Sequence, residues 1–320
     1  MVEPADLPPR FVASGVYFHE WALLVLGSIT LGLLTVVAGP LHRVSVEVAA
    51  AMALYATALM TLRGVAAWPD RARFVATCGF VVWFFLAVAR ITPALGTPLR
   101  DAQLYALDQA FFGGTPALQW QAYASGSLTE LFSAAYLSYF VYLNIAVIHA
   151  LCQTVADRYR LAAPLVSAYV VGFCGYLLVP AVGPSVALAR DFTSPLTGGP
   201  FTRLNDSLVT QGSSVYDVFP SLHVLITCVL LDHDRRYARR RFWVMLAPAC
   251  LLFVSTVYLR YHYLVDVAAG FACFLAIFLA MCGLNGAVHR QPAQDIRNQP
   301  AKRSEAATRG PVGLAEGSLS

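Results

Sequence analysis

Tyr258-Leu-Arg-Tyr-His-Tyr-Leu-Val-Asp-Val-Ala-Ala-Gly270 joins two apolar runs, Phe242 to Leu259 and Leu264 to Leu284. Each run is close to the roughly 20 residues that a helix needs to cross a bilayer. Only Arg260, Tyr261, His262 and Tyr263 lie between them. So short a turn makes the two helices antiparallel neighbours and leaves its ionisable residues at one membrane face. On a helix the His262/Asp266 spacing puts both side chains on one side, where the carboxylate can hold the imidazole N–H.

The composition agrees with a membrane reading. Of 320 residues, 58% are hydrophobic and 12% charged, with a mean hydropathy of +0.61. A soluble domain carries about twice that charged fraction. The net charge of +4 is small, and the basic residues form no face for nucleic acid. All seven cysteines lie in or beside apolar segments without a C-x-x-C pair, so they read as small buried hydrophobes.

Upstream the apolar runs are Trp21–Val37, Val44–Leu62 (with Glu47 near one end), Phe74–Ala89, Leu131–Cys152 and Ala162–Val182. A shorter run starts at Pro220 and ends near Leu231; extension to Tyr237 would let it cross. The pattern predicts an all-α polytopic membrane helix bundle of about eight transmembrane helices. Residues 1–70 would hold a tail and two accessory helices, 71–285 the catalytic membrane domain, and 286–320 a disordered cytoplasmic tail. The mixed segment 91–127 reads as amphipathic pieces at the interface, around 100–112 and 116–124. Residues 185–217 read as a long polar loop containing a glycosylation-type sequon, Asn205-Asp206-Ser207. The tyrosines of the fourth run, Tyr136, Tyr139 and Tyr142, fit either helix packing or the wall of a polar pocket.

Charge sets the orientation. Arg63, Arg71 and Arg73, then Arg158 and Arg160, then Arg235 to Arg241 fall on one side. The positive-inside rule makes that side, and both termini, cytoplasmic. His223 then opens the sixth span from the outer side, and His262 sits in the outer turn between the last two. The active site is expected at the extracytoplasmic face.

Ionisable residues at membrane depth point to function. Phosphoryl transfer by two histidines needs a neutral imidazole to attack phosphorus, a protonated one to serve the leaving oxygen, and donors for the nonbridging oxygens. His262 fits the nucleophile because Asp266 can fix its tautomer. His223 fits the acid. Ser221 and the free N–H groups at the helix start fit a phosphate cradle, and Arg260 is the nearest basic donor. A metal site is the competing use of His-His-Asp, but no further carboxylate stands near the two motifs.

Pro220-Ser-Leu-His223, followed by His262-Tyr-Leu-Val-Asp266, resembles the type 2 phosphatidic acid phosphatase superfamily. It resembles most the inositolphosphotransferase branch with inositol phosphorylceramide synthase, to which sphingomyelin synthase is related. Tyr176, Pro180 and Gly183-Pro184 resemble that branch's first motif, and Asp108-x-x-x-Phe112-Gly113-x-x-Pro116 matches it further. The resemblance spans roughly residues 70–284. It implies a six-helix core, a phosphohistidine on His262, protonation by His223, substrate contacts from Tyr176 and Gly183, and no metal or other cofactor. The partners implied are a lipid phosphate or phospholipid substrate and an alcohol acceptor. Two features depart from the phosphatases. No Lys and Arg precede Pro180 or Pro184, and Thr256 stands six residues before His262 where they carry Arg. Both favour the transferase-like branch. A non-catalytic lipid-binding or transport protein reusing the fold is the alternative; it would be expected to lose His262 or Asp266, and both are present.

Overall fold

The computed structural model describes residues 10–11, 15–62, 67–212 and 214–297. Arg63 and the tail beyond Arg297 lie outside the described residues. The chain opens with a two-residue strand, β1 (Arg10–Phe11), antiparallel to β2 (Val16–Tyr17). Among the described residues twelve α-helices come next: α1 (Phe18–Val37), α2 (Arg43–Thr61), α3 (Ala67–Leu95), α4 (Asp101–Phe112), α5 (Pro116–Gln119), α6 (Gly126–Cys152), α7 (Val155–Leu178), α8 (Pro184–Ala187), α9 (Pro200–Gly212), α10 (Leu222–Tyr237), α11 (Arg239–Tyr258) and α12 (Leu264–Arg297). A 3₁₀ turn, Trp120–Tyr123, continues α5. The protein is therefore an all-α, multi-pass membrane bundle.

Seven helices among the described residues are long and apolar enough to cross a membrane: α1, α2, α3, α6, α7, α11 and the Leu264–Cys282 part of α12. Their outer faces expose Ile29, Leu54, Ile148 and Leu275, as lipid-facing surfaces do. The eighth bundle helix, α10, has 16 residues, or about 24 Å. Val224 through Leu230 are all buried, so this helix is enclosed on every side. It packs against α7, α11 and α6 at the centre of the bundle, while α1 and α2 lean on α3 and α7.

Local chemistry explains the helix limits. Ser125 and Thr154 cap α6 and α7, accepting the N–H groups of Leu128 and Asp157. Gly113, in the left-handed region, ends α4. The helical pieces expected around 100–112 and 116–124 correspond to α4 and to α5 with its 3₁₀ turn.

Several expectations need correction. The third run, read from Phe74, starts earlier as a helix: α3 begins at Ala67, so Arg71 and Arg73 are helical. The run expected to start at Pro220 becomes helical only at Leu222, with Ser221 as the N-cap of α10. The loop 185–217 contains α9, whose start has a proline at the first helical position. α12 runs to Arg297, through the polar residues that follow its apolar part. Polar composition alone does not stop a helix when Ala, Gln and Arg supply good propensity. By contact the chain divides into Met1–Phe278 and Leu279–Ser320, the boundary falling within α12.

Candidate active site

The site lies beside α6, where α7 ends, α10 begins, and α11 turns into α12. Its centre is the Leu259–Tyr263 turn. The N–H groups of Tyr261 and His262 both donate to the Thr256 carbonyl, each at 3.0 Å. This wraps the end of α11 and fixes His262 in the bundle, with 1% of its surface exposed.

The His262 imidazole is bracketed. Its Nε2 lies 3.5 Å from Nδ1 of His223, in the first turn of α10. Its Nδ1 lies 3.6 Å from Oδ2 of Asp266. That separation is slightly long for a hydrogen bond but within ion-pair range. The same Oδ2 accepts the Tyr263 N–H at 2.8 Å, and the Asp266 carbonyl accepts the Ser221 N–H at 3.1 Å. One residue thus ties the His262 turn to the start of α10. Burial holds the His262 imidazole down to about 4, opposed by the charge of Asp217 and a backbone hydrogen bond with Val218. Near neutral pH the ring is uncharged with a free lone pair, the state a nucleophile requires.

Two acidic residues on α4 hold the frame, and sequence reasoning gave neither a role. Asp108 caps α12, accepting the N–H groups of Val265 at 2.8 Å and Leu264 at 3.2 Å. Burial pushes its carboxyl up, and those two N–H groups pull it back. Asp101 accepts the N–H of Gly183 at 2.9 Å and of Val182 at 3.0 Å, and the Tyr263 hydroxyl at 3.3 Å. The Asp108 motif was visible in the sequence. Asp101, as the first residue of a helix in an interfacial segment, carried only a capping signal.

Close backbone contacts lock the same junction. Gly183 has φ +79°, and a Cβ there would lie 2.6 Å from the Tyr261 carbonyl. A Cβ on Gly270 would lie 2.8 Å from the Ser221 carbonyl. Ser185 donates its N–H to the Arg260 carbonyl at 2.8 Å. So the segment after α7, the start of α10 and the α11–α12 turn meet backbone to backbone.

Aromatic rings pack around His223. Tyr136 and Tyr139 lie 4.6 and 4.7 Å from His223, centroid to centroid, and Tyr261 lies 4.9 Å from Tyr136. Tyr136 is ten residues into α6, about 15 Å along the helix from its start. Tyr136 and Tyr139 thus pack against His223. Tyr142 instead donates to Asp234 near the far end of α10.

Of the residues expected from sequence, His223, His262, Asp266 and Ser221 come together. The Ser221 hydroxyl is buried and has no partner among the described residues. Gly183 abuts the turn that carries His262. Tyr176 is buried at the end of α7, next to Gly175, where a Cβ would lie 2.2 Å from the Pro220 ring. Arg260 points elsewhere: its guanidinium lies 3.9 Å over the Phe192 ring and donates to the Ser194 carbonyl. Its left-handed backbone, φ 67°, turns the side chain toward that loop.

The family model described as PAP2 superfamily matches residues 102–280. Phosphoinositol dihydroceramide synthase of Bacteroides thetaiotaomicron is 25% identical over 206 residues, covering 56% of this chain and 66% of that protein. The chain thus spans just under two thirds of that relative's length. No solved structure gives a significant match.

Proposed function

The chain belongs to the PAP2 superfamily, and we propose that this membrane enzyme cleaves or transfers a lipid phosphate or phospho-headgroup through a phosphohistidine on His262. The observation that carries this reading is the bracketed imidazole, with Nε2 3.5 Å from His223 and Nδ1 3.6 Å from Asp266. The Nε2 lone pair of His262 attacks phosphorus. The bond from phosphorus to the lipid oxygen breaks, and His223 gives that oxygen its proton. Asp266 stabilises the positive charge left on the phosphorylated ring. In the second half His223 takes the proton of a water or alcohol hydroxyl. That oxygen attacks phosphorus, the P–N bond breaks, and His262 is neutral again.

Ser221 and the N–H groups at the start of α10 are the proposed phosphate cradle, with Tyr176 and Gly183 shaping its wall. Arg260 is proposed to reach the phosphate only by leaving Phe192 and Ser194. The similarity to a phosphoinositol dihydroceramide synthase supports transfer to an alcohol over hydrolysis. The site is proposed to open at the extracytoplasmic face, because Arg235, Arg236, Arg239 and Arg240 cluster at the opposite ends of α10 and α11.

Quenching the protein in alkaline SDS during turnover of a ³²P-labelled lipid donor in EDTA tests the reading. Label should appear on protein as acid-labile phosphohistidine and vanish in His262→Ala. Turnover without label, or label retained in His262→Ala, would refute the nucleophile. Loss of turnover in EDTA would refute metal independence.

A further inference from the structure

We infer that Asn205 and Tyr261 form a hydroxyl-reading pair beside the histidines, which selects substrates carrying an alcohol group next to the transferred phosphorus. The inference rests on the function proposed above. Helix α9 carries Asn205 and is fixed firmly. Glu130 on α6 accepts the N–H groups of Gly199, Phe201 and Thr202 at 2.7, 2.8 and 3.1 Å, capping the start of α9. Ser133 of α6 also donates to the Thr202 hydroxyl at 3.3 Å. This seats Thr202 and Asn205 inward.

Asn205 is fully buried, so its sequon offers no amide to a glycan. Its Nδ2 donates to the Tyr261 hydroxyl at 2.9 Å. Its Oδ1 has no partner among the described residues. A buried carbonyl oxygen without a donor is costly, and the cost is relieved when a ligand supplies one. The Tyr261 oxygen accepts from Asn205, which leaves its own O–H free to donate. One acceptor and one donor side by side complement an alcohol, which both donates and accepts. The pair belongs to the site: Tyr261 immediately precedes His262, and its ring packs on Tyr136, which packs on His223.

The hydroxyl has two sources, the headgroup of the donor lipid or the acceptor alcohol. Both are tested with the full-length protein in lipid nanodiscs. In one arm the donors are phosphatidylglycerol and phosphatidylinositol, against phosphatidylpropanol, whose headgroup lacks further hydroxyls. In the other, phosphatidic acid is the donor, and glycerol and 1-propanol compete to capture the phosphoenzyme. Asn205→Ala and Tyr261→Phe should each lower the preference for the hydroxyl-bearing member by about tenfold or more. A change in the first arm assigns the headgroup; a change in the second assigns the acceptor. Tyr261→Phe removes a single oxygen, and a normal melting curve establishes that the variant is folded. Preferences within twofold of wild type in both arms would overturn the inference and leave the proposed reaction standing. A wild-type protein that turns over no donor would overturn both.

Discussion

Oδ2 of Asp266 stands 3.6 Å from Nδ1 of His262 and 2.8 Å from the Tyr263 N–H. The carboxylate is held by the backbone first and reaches the imidazole second. Its position therefore survives loss of charge. Asp266→Asn should keep the fold and lower kcat by roughly 100-fold, within the range ascribed to orienting partners of catalytic bases. Phosphohistidine formation under single turnover is the measurement. A loss below threefold would show that Asp266 serves only the backbone.

The pH dependence comes from burial. The folded His262 titrates at about 4, below its ordinary 6.5. Folding thus disfavours the protonated ring. The penalty is absent above about pH 6.5, grows as pH falls, and is complete below about 4. The shift corresponds to roughly 3 kcal/mol. Wild-type protein should lose melting temperature across that window, and His262→Gln should flatten the curve. An unchanged slope in His262→Gln would mean that other groups govern acid sensitivity.

Gly183 has both a left-handed backbone and a carbonyl 2.6 Å from where a Cβ would stand. Gly183→Ala must push Tyr261 away and carry His262 with it. Turnover should fall at least about tenfold, since displacements near 1 Å cost as much or more. Gly32→Ala, in α1 with nothing within 4 Å, is the control and should be neutral or slightly stabilising. Equal activity in the two variants would separate the Gly183 contact from catalysis.

The membrane bundle and the histidine pair were legible because each rests on a short-range signal. Apolar runs mark spans, and the spacing of His262 and Asp266 marks a shared face. The features that escaped were partners far apart in sequence. Nothing local says that Asp101 will bind the backbone at Gly183, or that Glu130 will cap α9. Arg73 and Arg158 were read as charges on the cytoplasmic side because charge near a span end usually meets water. Here they are buried, paired with Glu20 and Asp70. Arg260 looked available to phosphate from its place in the chain, yet its backbone conformation, a property no spacing reveals, directs it to Phe192.

The Arg158–Asp70 pair makes a stability prediction. Both side chains are 1% exposed. Arg158 also donates to the carbonyls of Gln153 at 2.9 Å and Leu151 at 3.2 Å, and Tyr159 donates to Asp70 at 3.2 Å. Arg158→Met strands a buried carboxylate and should cost about 3–5 kcal/mol. Pairing it with Asp70→Leu removes the stranded charge and should recover most of that loss. Thermal unfolding in detergent checks both. A double variant no more stable than the single would mean that the hydrogen bonds, not the stranded charge, set the cost.

The last prediction concerns orientation. After Arg73 and Arg158 are discounted as buried, the exposed cluster at the α10–α11 junction still marks one end as basic. Arg235 and Arg236 share Asp232, while Arg241 pairs inward with Asp234. The histidines lie at the other end of the same helices. In a background lacking the seven native cysteines, Ser207→Cys on α9 should react with an impermeant maleimide from outside intact cells. Arg239→Cys should react only after permeabilisation. The reverse pattern would put the histidine pair on the cytoplasmic side. The phosphoryl chemistry would be unchanged, but the donor lipid would have to come from the inner leaflet.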